Sequence, residues 1–214
     1  MRWLLLPLLA ALLAGCGTPA AKKGTEPPAQ TGEQGGAKTG EAPAPSSDPQ
    51  AEKKGPVLKQ LYTDEKTGLS VRTPILWEAG EKEGTVVVLI SPQNGVEDLF
   101  RENIVITADD QFKDLTLAAY LKALGEEIRK RYPDTQTLES GEVEIDGILS
   151  HWMVDAYTGP KGPARVYRVV VIREQVAYVF HATAPEQTFE LYRPTFEAIA
   201  RSIAWPKPEA EKKP

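Results

Sequence analysis

The stretch ILSHWMVDAYTGPKGPARVYRVVVIREQVAYVFHAT, residues 148–183, decides the fold. It contains three runs rich in β-branched and aromatic residues, 148–157, 164–173 and 176–183. A Gly/Pro-rich loop at 158–163 and the dipeptide Glu174-Gln175 part them. Such runs read as strands, and strands joined by so few residues must be antiparallel. If Glu174-Gln175 is a two-residue turn, Arg173 faces Val176, and a closed loop sets Tyr157 against Ala164. Directly opposed residues share a face. One face then carries Trp152, Val154, Tyr167, Val169, Val171, Tyr178 and Phe180 and reads as core. The other collects His151, Met153, Asp155, Tyr157, Arg168, His181 and Thr183, with Val166, Val170 and Val179 between them. Arg168 falls beside His181, with Asp155 one diagonal step away. A register slip of one residue would scatter this set over both faces.

Working outward, 139–145 reads as a strand entering the Asp146-Gly147 turn, a strong hairpin signal. Further upstream, 60–63 and 69–73 flank a turn at 64–68 that contains Gly68. A β-branched run at 85–91 ends at Pro92, another short strand occupies 103–108, and the connection 93–102 has room for a helical turn. In 116–132, Leu117, Leu121, Leu124 and Ile128 form one stripe at helical spacing. Thr116 suits the N-cap, Arg129, Lys130 and Arg131 suit the negative end of the helix dipole, and Pro133 stops the helix. In 186–203, Phe189, Tyr192, Phe196, Ile199 and Ile203 form a second stripe, and Pro194 predicts a kink or a fresh helix start. Both helices are expected to cover the apolar sheet face. The fold class is therefore α+β, a central antiparallel β-sheet packed by amphipathic helices.

The ends carry a different message. Leu13-Ala14-Gly15-Cys16 closes a short Leu-rich run that starts after Arg2. That run is too short to span a bilayer and reads as a secretory signal over 1–15. The motif resembles the bacterial lipobox, which implies that Cys16 is lipidated and becomes the new N-terminus. Cys16 is the single cysteine, so no intrachain disulfide and no Cys-based zinc site can form. Residues 17–56 hold seven each of Pro, Gly and Ala and no Val, Ile, Leu, Met, Phe, Trp or Tyr. A segment without core-forming side chains cannot offset its chain entropy, so 16–56 is expected to be a disordered tether of about 35 Å r.m.s. reach. The stretch 207–214 is expected to be a solvated tail. Residues 57–206 are long enough for one domain with a core. They carry sixteen Lys and Arg against twenty-three Asp and Glu, which argues against nucleic acid and against an electrostatic membrane-docking face.

Tyr62-x₅-Gly68-Leu69-Ser70-Val71-x-x-Pro74-x-x-Trp77 resembles the opening of the Mog/PsbP/DcrB-like proteins. The Arg173-Glu174-Gln175-Val176-x-Tyr178 hairpin is similar to theirs. So is the closing Phe189-x-x-Tyr192-x-Pro194-x-Phe196-x-x-Ile199-x-x-Ser202-Ile203. Leu69 stands where that family has Phe, and Ile203 replaces its final Phe. The resemblance spans nearly all of 57–206 and implies the family's α/β/α sandwich. It also implies a non-catalytic role, as in photosystem assembly subunits, GTPase-binding factors and bacterial lipoproteins.

A search for reactive groups is mostly negative. The chain lacks GxSxG, HExxH, a phosphate-cradling Gly loop and an EF-hand loop. Asp109, Asp110 and Asp114 lack the spacing of a calcium site. Ser150 and His151 are neighbours on a strand, so they point to opposite faces and form no triad. No catalytic residue, metal or cofactor is expected. The candidate face of His151, Asp155, Tyr157, Arg168 and His181 has two readings: a self-satisfied polar network, or a shallow surface for an anionic ligand or a partner loop. The expected function is a non-catalytic binding or assembly module for another envelope protein. It would be anchored through Cys16 on the extracytoplasmic face of the cell or outer membrane. The alternative is an extracytoplasmic small-ligand receptor that uses the polar sheet face.

Overall fold

The computed structural model describes residues 56–207 apart from 97, 99 and 112–115. The expected signal, Cys16, the tether and most of the tail lie outside the described residues. The elements run β1 (Gln60–Thr63), β2 (Ser70–Thr73), β3 (Glu78–Gly80), β4 (Val87–Ile90), β5 (Asn103–Asp109), α1 (Leu117–Arg131), β6 (Gln136–Ile145), β7 (Ile148–Gly159), β8 (Gly162–Arg173), β9 (Val176–Pro185) and α2 (Phe189–Arg201). β1 and β2 form a separate hairpin, and the other seven strands form one sheet in the order β3-β4-β5-β9-β8-β7-β6. Every neighbouring pair in it is antiparallel. The central hairpins take the expected registers, with Tyr157 opposite Ala164 and Arg173 opposite Val176.

The two helices lie on opposite faces of the sheet, so the expectation that both cover the apolar face is corrected. α2 buries Phe189, Phe196, Ile199 and Ala200 against Val154, Tyr167, Val169, Val171 and Phe180, with the β1–β2 hairpin contributing Leu69 and Val71 to the same core. α1 instead buries Tyr120 with Val170, Ala177 and Val179, and Leu117, Leu121 and Leu124 pack around them. The strand order explains this. β5 pairs with β9, so the chain leaving β5 must cross the sheet to reach β6 at the far edge. One face is already filled by α2 and the β1–β2 hairpin, which leaves the other for α1.

Local chemistry sets the remaining boundaries. Thr116 caps α1, its side-chain oxygen accepting from the Ala119 N–H at 3.2 Å. α2 runs as one helix through Pro194, so the fresh start expected there is corrected. Pro194 deprives only the Glu190 carbonyl of a partner, and both residues are exposed, so water can replace that bond. β3 was not foreseen, because Glu-Ala-Gly carries no apolar alternation and all three residues are exposed. The described residues of 93–102 form a turn near Gly95 and no helix.

The residues after α2 fasten one end of the molecule. Ala204 exchanges hydrogen bonds with Ser70 at 2.8 and 3.0 Å. The Trp205 N–H donates to Asp146 in the β6–β7 turn at 3.0 Å. Arg173, at the β8–β9 turn, donates to the Pro206 carbonyl at 3.3 Å. The Trp205 ring also meets Tyr178, with centroids 5.0 Å apart.

Both tight turns have positive φ, as the primed turns of two-residue hairpins require. Asp146 and Gly147 sit at 49° and 78°, and Glu174 and Gln175 at 50° and 65°. The second turn holds two side chains in a region that favours Asn and Gly. Replacing Glu174→Asn together with Gln175→Gly is expected to raise unfolding stability by about 1–2 kcal/mol, read as a higher urea midpoint at unchanged m-value.

Candidate functional site: a buried Asp-Arg-His network

On the α1 side of the sheet the register places Arg168 of β8 directly opposite His181 of β9, with Asp155 of β7 diagonal to it. All three are buried, Arg168 and Asp155 at 2% exposure and His181 at 4%. The Arg168 Nε–H donates to His181 Nδ1 at 2.9 Å, and Arg168 Nη1 donates to Asp155 Oδ2. Asp155 Oδ1 accepts from the Thr137 hydroxyl at 2.6 Å. The guanidinium is thus shared between an anion and a neutral acceptor, and both carboxylate oxygens are bonded.

Thr137 reaches this network through a bulge. The pairing of β6 with β7 shifts between Thr137 and Glu139, so Leu138 is an extra residue and Thr137 falls opposite Asp155. In an unbulged ladder Thr137 would point to the α2 side. No sequence signal marked this bulge, and the expected strand began two residues too late to include Thr137. Tyr132, at the end of α1, was also missed. Its ring packs on Tyr157 with centroids 4.7 Å apart. Burial pushes the Tyr157 hydroxyl up to about 12.

The five predicted site residues do share one face, but they separate into three settings. Asp155, Arg168 and His181 form the closed network. Tyr157 lies half-buried beside Tyr132. His151 lies apart, partly exposed opposite Glu142 on β6. Among the described residues there is no group of His, Cys, Asp and Glu that could hold a metal ion.

The electrostatics explain what the network can do. Burial lowers the Arg168 pKa to about 10, so it remains a cation at neutral pH. Burial, and then the adjacent Arg168 charge, hold His181 well below its ordinary value. His181 is therefore neutral, and its Nδ1 lone pair is occupied by a guanidinium donor. A base so engaged does not take a proton from a substrate without first breaking the pair.

The fold is shared with known structures. The solution structure of cyanobacterial PsbP from Synechocystis aligns with a TM-score of 0.53 at 14% identity, over 69% of this chain and 92% of that one. LpqN of Mycobacterium tuberculosis, described as involved in cell envelope biogenesis, aligns at 0.52 and 14%, over 69% and 90%. The Saccharomyces cerevisiae Ran-binding protein Mog1p aligns at 0.51 and 9%, over 70% and 96%. The chain therefore has a PsbP/Mog1-like fold, as its sequence motifs implied. No family model matches the sequence, and no curated protein matches it.

Two outcomes follow. His181 unfolded titrates near 6.5, and folded it titrates lower. Below about pH 6.5 the unfolded chain therefore binds a proton that the folded chain does not, and stability falls as the pH drops. His181→Asn keeps an acceptor for Arg168 and should flatten this part of a urea-midpoint profile between pH 7.5 and 5. Arg168→Ala leaves Asp155 buried without its cation and should cost about 3–5 kcal/mol in urea unfolding.

Proposed function

We propose that the chain is a lipid-anchored, extracytoplasmic docking module that holds another protein of the cell envelope and performs no chemistry itself. The observation that carries this reading is the closure of the Asp155-Arg168-His181 network. Three of the five candidate side chains, Asp155, Arg168 and His181, are bonded to each other beneath the α1 side of the sheet, and His151 stands apart from that network. The Leu13-Ala14-Gly15-Cys16 motif and the tether of 17–56 supply the anchor and the reach. Acyl chains contribute roughly 0.8 kcal/mol per buried CH₂, so two or three hold a protein stably on a bilayer. Among the described residues no helix is long and apolar enough to cross a membrane, so in this reading the acylated cysteine makes the membrane contact. The envelope role described for LpqN belongs to that protein and agrees with this reading through fold alone.

The test is mass spectrometry and fractionation of the native protein. The mature wild-type chain is expected to begin at Cys16 with acyl mass on it and to need detergent for release. Cys16→Ser is expected to lose both the mass and the membrane association. In intact envelopes, crosslinking of the anchored domain is expected to recover a stoichiometric protein partner. A native chain that carries no acyl mass and washes off in buffer overturns the reading.

A further inference from the structure

Among the described residues the sheet ends in a long unpaired edge. β6 is its last strand, ten residues long, whereas the opposite edge strand β3 has only three. The Asp146-Gly147 turn closes on the pair Ile145 and Ile148. In a two-residue hairpin the closing pair is hydrogen-bonded, and bonded pairs then alternate with non-bonded ones. Val143 opposite Ser150 and Gly141 opposite Trp152 are accordingly bonded inward. Ser140, Glu142 and Glu144 direct their backbone N–H and C=O groups away from the sheet.

The side chains of the same three residues lie on the face that carries Met153, His151 and Leu149. α1 packs on β8 and β9, and among the described residues Ser140, Glu142 and Glu144 are left exposed. Leu149 is 63% exposed. Glu142 and Glu144 enter no ion pair or side-chain hydrogen bond among the described residues. Glu139, on the other face, is held by Arg193 at 2.7 and 3.0 Å. The bulge at Thr137/Glu139 ends the straight run, so the free edge covers 139–145.

Resting on the docking function proposed above, we infer that the β6 edge binds an extended segment of the partner protein in which basic residues alternate with apolar ones. Backbone groups of Ser140, Glu142 and Glu144 supply the ladder. Basic side chains of the docked strand lie beside Glu142 and Glu144. The intervening apolar side chains fall on the opposite face, next to Val143 and to Trp152, whose ring covers Gly141. That cover is close: a Cβ on Gly141 would lie 2.9 Å from Trp152 Nε1. A second copy of the chain is a poor occupant, because edge-to-edge pairing would set the glutamates of one β6 against those of the other.

The probe is a decapeptide of alternating Lys and Val, with a Glu/Val decapeptide as control, added to the full mature chain. Hydrogen exchange by NMR is expected to show new protection at the amides of Ser140, Glu142 and Glu144 with the Lys/Val peptide and none with the control. Glu142→Pro removes an outward N–H and spares the β6–β7 bonds, a position where edge strands tolerate Pro. It should weaken binding about tenfold or more, the loss of roughly 1.4 kcal/mol. The pair Glu142→Lys and Glu144→Lys, which leaves the backbone intact, should do the same and serves if the Pro variant fails to fold. Absent protection, equal protection by the control, or unchanged binding in these variants overturns the inference. So does self-association of the wild type that Glu142→Pro abolishes, since the occupant is then a second copy. Crosslinking in envelopes separates the two proposals. A partner captured equally by wild type and Glu142→Lys/Glu144→Lys sinks the edge site alone, whereas no partner for either sinks the docking function.

Discussion

Strand β8 is buried on both faces, and the rest of the molecule is arranged to make that so. Tyr167, Val169 and Val171 point one way and Val166, Arg168 and Val170 the other, all at 2% exposure or less. A strand shielded on both sides needs two covering layers. α2 with the β1–β2 hairpin provides one and α1 the other. Burying each large apolar side chain contributes about 1.5–3 kcal/mol, so the α2 layer, with Phe189, Phe196 and Ile199, holds most of this stabilisation. The α1 layer is thinner and shares its face with charge.

That charge makes the register hard to change. If β8 slipped by one residue against its neighbours, the Arg168 guanidinium would turn into the aromatic core around Phe180, Phe189 and Phe196. Removing a buried cation from its paired carboxylate is far more costly than the pair is favourable. The Asp155-Arg168-His181 set therefore acts less as a source of stability than as a penalty on wrong pairings. The Leu138 bulge completes it by turning Thr137 toward Asp155.

Much of this was legible in the residues. Alternation in 148–183, together with two short turns, gave the register of three strands and the composition of both faces. The stripe from Leu117 to Ile128 gave α1 with its cap. Three things were not legible, for different reasons. The face that α1 covers depends on β5 pairing with β9, a contact between segments some seventy residues apart that no local pattern encodes. β3 has no apolar signature. The continuity of α2 through Pro194 depends on where the orphaned carbonyl points, and sequence does not show that. At the site, the proximity of Arg168 to His181 and Asp155 followed from register. Its burial did not, because it followed from the misplaced helix.

The fastening after α2 has a consequence for how the chain reaches its final form. Ala204, Trp205 and Pro206 tie β2, the β6–β7 turn and the β8–β9 turn at one end of the sheet. They come after every strand and helix they secure. Any machinery that feeds the polypeptide from its N-terminus, whether a ribosome or a translocation pore, therefore delivers every strand and both helices before the three residues that buckle them together.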